Sequence, residues 1–134
     1  MTAFFDTNVL VYSVTADPRK SAADRVLARG GFISAQVLNE FANVARNKLR
    51  KDWTEIEYAI ERFCRAVDDV VHLTRETNAS ALRLARDQGF SFYDALIVAS
   101  AQGAGCDTLY SEDMQDGQAI GGLTIRNPFL ASPA

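Results

Sequence analysis

Histidine is nearly missing from this chain: His72 stands alone in 134 residues. It falls inside an apolar stretch read as a strand, Val70-Val71-His72-Leu73, so neither a Ser/His/Asp nor a Cys/His centre can be assembled. Cysteine is scarce too. Cys64 and Cys106 are the two present, both in apolar contexts with no CxxC and no Cys/His cluster. They read as small core residues of a reducing compartment, and a structural zinc site is excluded. No run is long and apolar enough to span a bilayer. No basic segment precedes an apolar stretch at the N-terminus, so no signal peptide is expected and the protein is expected in the cytoplasm. A basic excess is also lacking: the net charge is −3. That removes the usual footprint of a nucleic-acid binder, although acids gathered in one site can mask bases gathered elsewhere. P-loop and dinucleotide fingerprints are absent, since Gly103-Ala104-Gly105 follows a helix pattern and no third glycine completes it.

What remains is an ordinary globular composition, 48% hydrophobic and 23% charged, and a length suited to one domain over 1–134. Residues 3–6 read as a first strand. Asp17-Pro18 reads as a helix N-cap with Pro at the first helical position, and Gly30-Gly31 stops that helix. Phe32-Ile33 is a second short strand. Ser34 opens a helix to about residue 50 with Val37, Leu38, Phe41, Val44, Ala45 and Leu49 on one face. Thr54-Glu55-Ile56-Glu57 fits a capping box. Its helix carries Ile56, Ala59, Ile60, Phe63, Cys64 and Val67 at helical spacing. After the third strand come helices from about 77 to 88, and from Ser91 to about 102. Thr108-Leu109-Tyr110 and Leu123-Thr124-Ile125 complete five strands. Apolar strands separated by helices predict an α/β fold with a mainly parallel sheet covered on both faces.

Four acids then stand out by position. Asp6 ends the first strand, and in an open α/β sheet the carboxyl ends of the strands form the ligand-binding edge. Glu40 lies about a turn into the helix that leaves strand two, just beyond its apolar arc. It reads either as a boundary salt-bridge partner or as a group reaching inward. Asp94 sits in Phe92-Tyr93-Asp94-Ala95-Leu96-Ile97-Val98-Ala99, an apolar and hence buried helix whose N-terminus lies over the same edge. It can close a capping box with Ser91, bind a ligand, or do both. Asp113 follows strand four, with Asp116 three residues on; turn chemistry accounts for either one alone. Glu112 reads as solvent-facing. Two carboxylates about 4 Å apart repel by about 4 kcal/mol at an effective dielectric near 20. Four converging acids therefore call for a cation, and an oxygen-only donor set selects a hard one, Mg²⁺ or Mn²⁺. Such an ion suits phosphate-ester hydrolysis.

The motifs Phe5-Asp6-Thr7-Asn8-Val9-Leu10, Asn39-Glu40-Phe41, Phe92-Tyr93-Asp94-Ala95-Leu96-Ile97 and Leu109-Tyr110-Ser111-Glu112-Asp113-Met114-Gln115-Asp116-Gly117 together resemble the PIN-domain family. The resemblance is specifically to VapC-type toxin ribonucleases, and it runs over essentially the whole chain. It implies a three-layer α/β/α fold with a five-stranded sheet ordered 3-2-1-4-5. It implies a metal site of Asp6, Glu40, Asp94 and Asp113, with Asp116 as a further acid, and hydrolysis of an RNA phosphodiester. It also implies a homodimer and a VapB-like antitoxin partner. Thr7, Asn8 and Ser111 would orient the carboxylates. In this reading Asp6, Asp94 and Asp113 hold metal, while Glu40 holds metal and positions the attacking water.

Two rival readings stay open. One is a haloacid-dehalogenase-like phosphatase with Asp6 as nucleophile, a chemistry that usually needs a second acid where this chain has Asn8. The other is a non-catalytic PIN-like domain that binds RNA or a partner. Arg46, Lys48, Arg50 and Lys51 either steer a phosphate backbone or complement a helix C-terminus. Trp53 and Tyr58 either stack bases, meet a partner, or pack at the core boundary.

Overall fold

The computed structural model describes residues 1–130; the last four residues of the expected 1–134 domain lie outside the described residues. The elements run β1 (Ala3–Phe5), α1 (Thr7–Ser13), α2 (Lys20–Leu27), β2 (Phe32–Ser34), α3 (Ala35–Asn47), α4 (Trp53–Ala66), β3 (Asp69–Val71), α5 (Arg75–Gln88), α6 (Phe92–Gly103), β4 (Thr108–Tyr110), β5 (Ala119–Ile120) and β6 (Leu123–Arg126). The strands form one sheet in the order β3-β2-β1-β4-β6-β5. Every pair is parallel except β5 with β6.

The layering follows from handedness. Parallel crossovers are right-handed. The chain moves one way across the sheet from β1 to β2 to β3, which sends α1–α4 to one face. It moves the other way from β3 to β4, which sends α5 and α6 to the opposite face. Between them lie Phe4, Phe5, Ile33, Leu109 and Ile125, all fully buried. Helix α6 is buried from Ala95 to Ala101, as its unbroken apolar composition requires.

The sheet has six strands where five were expected. The extra one, β5, is an antiparallel edge strand turned through Gly121-Gly122 into β6. Gly121 takes φ 61°, the positive value a type II′ hairpin needs at its first central position. With β6 as the fifth parallel strand, the expected order holds. Gly31 has a different role: a Cβ there would meet the Ala3 carbonyl at 2.6 Å and the Phe5 ring at 2.8 Å. Only glycine lets β2 enter beside β1.

Several local expectations are corrected. Residues 7–13 form a helix, α1, that was not foreseen, because Val9-Leu10-Val11 has no amphipathic period. Asp17 accepts a bond from the Arg19 amide at 2.8 Å, which makes a turn, and the helix starts only at Lys20. The capping box of α4 is Asp52 with Glu55, not Thr54 with Glu57. Thr74 caps α5 three residues ahead of the expected start. Strand β3 ends at Val71, so His72 lies just after it. Cys106 is buried, but Cys64 is exposed on the outer face of α4. Trp53 and Tyr58 are exposed as well, at 61% and 60%. Among the described residues no helix is long and apolar enough to cross a membrane.

Candidate functional site

Strand pairing places the first two groups. Phe5 is in register with Tyr110, so the next residues, Asp6 and Ser111, emerge side by side beyond adjacent strands. The Asp6 amide donates to the Tyr110 carbonyl at 3.0 Å. Its carboxylate accepts from the Thr7 amide, capping α1, and from the Ser111 hydroxyl, both at 2.7 Å. The Ser111 hydroxyl also accepts from the Asp113 amide at 3.2 Å. One buried serine thus ties the acid of β1 to the loop that carries the acid after β4.

The first turn of α1 then orients two more carboxylates. The Thr7 hydroxyl donates to Glu40 at 2.5 Å and the Asn8 amide to Asp113 at 3.1 Å. Gln36, one turn before Glu40 on α3, donates to its other oxygen at 3.1 Å. The fourth acid, Asp94, sits in the first turn of α6, whose cap Ser91 accepts from the Asp94 amide at 3.3 Å. Ser91 thus caps α6, but the return bond from the Ser91 amide to the Asp94 carboxylate that would complete the expected capping box is not formed, and Asp94 is half-buried.

Electrostatics shows that the four acids share one neighbourhood. Asp6 is 5% exposed. Burial pushes its carboxyl from 3.8 up to about 6; the bonds from Ser111 and Thr7 oppose this, and the charges of Asp113 and Glu40 add to it. Burial likewise raises the Asp94 carboxyl, against a bond from Ser91, and the same Asp113 and Glu40 charges add. Among the described residues no three Asp, Glu, His or Cys side chains are gathered tightly enough to enclose one ion as they stand. The donor chemistry still fits a hard divalent cation. Every donor is oxygen, and Asn8 Oδ1 is buried with no hydrogen-bond partner beside Asp113. Mg²⁺ also retains several waters, so it needs few direct protein ligands.

The remaining expected residues have other partners. Asp116 is exposed, and its carboxylate accepts from the Asn127 amide at 2.8 Å, which ties its loop to the end of β6. Glu112 is half-buried, not solvent-facing, and pairs with Arg19 at 3.5 Å. In the basic cluster, Arg46 donates to the Lys51 carbonyl at 3.2 Å and lies 4.7 Å from the centre of the Trp53 ring. It therefore pins the loop that follows α3 and stacks on the first residue of α4.

Glu40 and Asp113 line a groove of about 790 Å³ between α1 and α3. Lys48 lines it as well, and so do residues that sequence reasoning did not single out: Gln36, Asn39, Asn43 and Tyr93. Their signal was present, because Gln36, Asn39, Glu40 and Asn43 follow the i, i+3, i+4, i+7 pattern of one helix face. A groove of about 860 Å³ between α2 and α4 holds none of the four acids.

The model of the PIN domain family matches residues 3–116. No curated protein sequence matches the chain. Among solved structures, it is similar to the Mycobacterium tuberculosis VapC20, described as a sarcin-ricin loop cleaving toxin, at 23% identity and TM-score 0.69, over 84% of this chain and 90% of that one. A toxin–antitoxin complex from Klebsiella pneumoniae matches at 20% identity and TM-score 0.71, over 96% and 98%. VapBC2 from Rickettsia felis, bound to a promoter DNA fragment, matches at 19% and 0.68, over 95% and 98%. At these identities the likeness establishes the fold.

Proposed function

The chain belongs to the PIN domain family, and on that premise we propose that it is a metal-dependent endoribonuclease acting as the toxin of a VapBC-type pair. The observation that carries this reading is that four carboxylates from four separate elements lie near one sheet edge, close enough for Asp113 and Glu40 to act on Asp6 and Asp94. Two of them, Asp6 and Asp94, are raised in part by the charge of the other two. The family match and the toxin–antitoxin neighbours support RNA as substrate and a VapB-like antitoxin as partner; a homodimer of single-domain chains belongs to the same proposal.

Asp6, Glu40, Asp94 and Asp113 would hold Mg²⁺ or Mn²⁺. Asp116 would join them through the oxygen that the Asn127 amide leaves free. A divalent ion there would activate water and neutralise charge at the scissile phosphate and leaving oxygen. The chain's own groups do the rest. Thr7 and Ser111 fix both oxygens of Asp6. Asn8 turns one oxygen of Asp113 towards itself. Thr7 and Gln36 hold Glu40 from two sides, which sets its carboxylate to accept the proton of an attacking water. A phosphatase with Asp6 as nucleophile lacks its acid partner, since Asn8 takes that position and its amide is engaged with Asp113.

Expression in bacterial cells tests the proposal. The wild-type chain should arrest growth and fragment cellular RNA, and Asp6→Asn should do neither. Arrest without RNA fragmentation, or an Asp6→Asn chain as toxic as wild type, sinks it.

A further inference from the structure

Gln36 lines the groove beside the acids and carries an unusual atom. Its side chain is 5% exposed, and its amide nitrogen donates to Glu40 at 3.1 Å and to the Tyr93 carbonyl at 3.3 Å. Both partners are pure acceptors, so the orientation of the amide is fixed. Its Oε1 is buried and has no partner. A buried acceptor left without a donor costs about 1–3 kcal/mol, and Gln36 is one of the residues that line the groove. Above it the Tyr93 ring is 65% exposed, held edge-on against Phe92 with ring centres 5.8 Å apart. Asn39 and Asn43 continue the polar face of α3 along the groove towards Lys48.

We propose that this groove is a nucleobase subsite for single-stranded RNA, in which Tyr93 stacks the base and Gln36 Oε1 accepts a hydrogen bond from its edge. The assignment rests on the ribonuclease reading for the phosphate that follows the base into the acid cluster. The chemistry selects the strand and the base. An unpaired base is needed, because only a splayed base offers its face to a tyrosine and its edge to the groove floor. Both hydrogens of the Gln36 amide are engaged, so the site can only accept. Cytosine, adenine and guanine bring an exocyclic amino donor. Uracil brings one N–H flanked by two carbonyls that face the Gln36 oxygen unfavourably. Asn43 Oδ1 accepts from Asn47 at 2.7 Å, which leaves the Asn43 amide hydrogens for the next base or its ribose. Lys48 meets a phosphate farther along. A protein segment is the competing occupant, since Leu73, Val11 and Leu49 also line the groove and a peptide N–H can donate to the same oxygen; the base is favoured because its flat face matches the exposed Tyr93 ring.

The test is fluorescence anisotropy of labelled hexacytidylate, hexaadenylate and hexauridylate with the Asp6→Asn protein in Mg²⁺, and with Tyr93→Ala and Tyr93→Phe added to it. The C and A oligomers should bind at least about fivefold tighter than the U oligomer. Tyr93→Ala should weaken them about tenfold, with Tyr93→Phe near the parent. A duplex of the same sequence should compete poorly. Equal binding of all three oligomers with Tyr93→Ala unchanged overturns the subsite, as does a duplex that competes equally. Failure of every oligomer to bind overturns it too and gives the groove to a protein segment. The two readings separate in the wild-type protein. Base-selective binding without cleavage in Mg²⁺ or Mn²⁺ keeps the subsite and sinks the nuclease, whereas cleavage without base preference does the reverse.

Discussion

Replacing Asp6 by Asn should make the metal-free protein more stable, although it removes the acid at the centre of the site. In the fold the Asp6 carboxyl titrates at about 6 against an ordinary value of 3.8. A carboxyl raised on folding favours the fold while it is protonated. Its contribution is fully present below about 3.8 and is lost as pH rises through about 6. Above that range the folded state holds a buried charge whose excess cost, from the same two values, is about 3 kcal/mol. Asparagine is isosteric. Its oxygen can keep the Thr7 amide, and its nitrogen can donate to the Ser111 hydroxyl, which rotates to suit. Urea or thermal melts of both proteins from pH 3.5 to 8 in EDTA give the difference directly. It should be near zero at the acid end and grow between about 4 and 6. It should approach 3 kcal/mol in favour of the variant at pH 7.5, roughly 10 °C in Tm for a chain of this size. Adding Mn²⁺ should narrow or reverse the order, since binding to the folded state stabilises it by RT ln(1 + [L]/Kd). A pH-independent difference, or a variant less stable than wild type at pH 7.5 in EDTA, refutes the reasoning.

Other perturbations separate site from scaffold. Thr7→Val keeps the shape of α1 but deletes the 2.5 Å bond to Glu40. It should lower kcat/KM for RNA cleavage by about 10–100-fold with little change in Tm; unchanged activity means Glu40 needs no orienting. Asp52→Ala removes the half of the α4 capping box in which the side chain accepts from the Glu55 amide, and keeps the backbone amide that donates to Glu55. It should cost about 1 kcal/mol in a urea titration and leave cleavage intact. Phe41 is fully buried and meets Phe63 edge-on at 4.9 Å, so Phe41→Ala should cost about 3–5 kcal/mol by chemical unfolding. A loss below about 1 kcal/mol contradicts the packing described.

The sequence was most legible where one physical rule acted alone. Asp6 was readable because an acid that ends an apolar strand must sit at the carboxyl edge. Asp94 was readable because α6 is apolar on every side and so is fixed in place by burial. Legibility failed where two rules competed. Thr7–Ser13 has the β-branched run of a strand, yet it folds as a helix because Asp6 caps it and the core lies beneath Val9 and Leu10. Asp52 and Thr54 both stand three residues before a glutamate, and sequence alone gives no reason to prefer one. Ile120-Gly121-Gly122-Leu123 carried a hairpin signal that a two-residue strand is too short to announce. Asp116 was placed by its nearness to Asp113 in the chain, and sequence alone could not show that one of its oxygens ties the loop to the Asn127 amide. Gln36 was invisible, since nothing in a sequence reveals that one side of an amide will be left without a partner.

The claim that the four-acid edge is a metal-dependent ribonuclease centre is tested most directly by one measurement. It is the initial rate of cleavage of a short single-stranded RNA by purified protein as Mn²⁺ is titrated from an EDTA baseline, for wild type and for Asp94→Asn. The account predicts no cleavage in EDTA and a saturable rise with Mn²⁺ for wild type. Asp94→Asn should show a rate reduced by orders of magnitude at the same concentrations. Cleavage that persists in EDTA, or wild-type and Asp94→Asn curves that coincide, would contradict it.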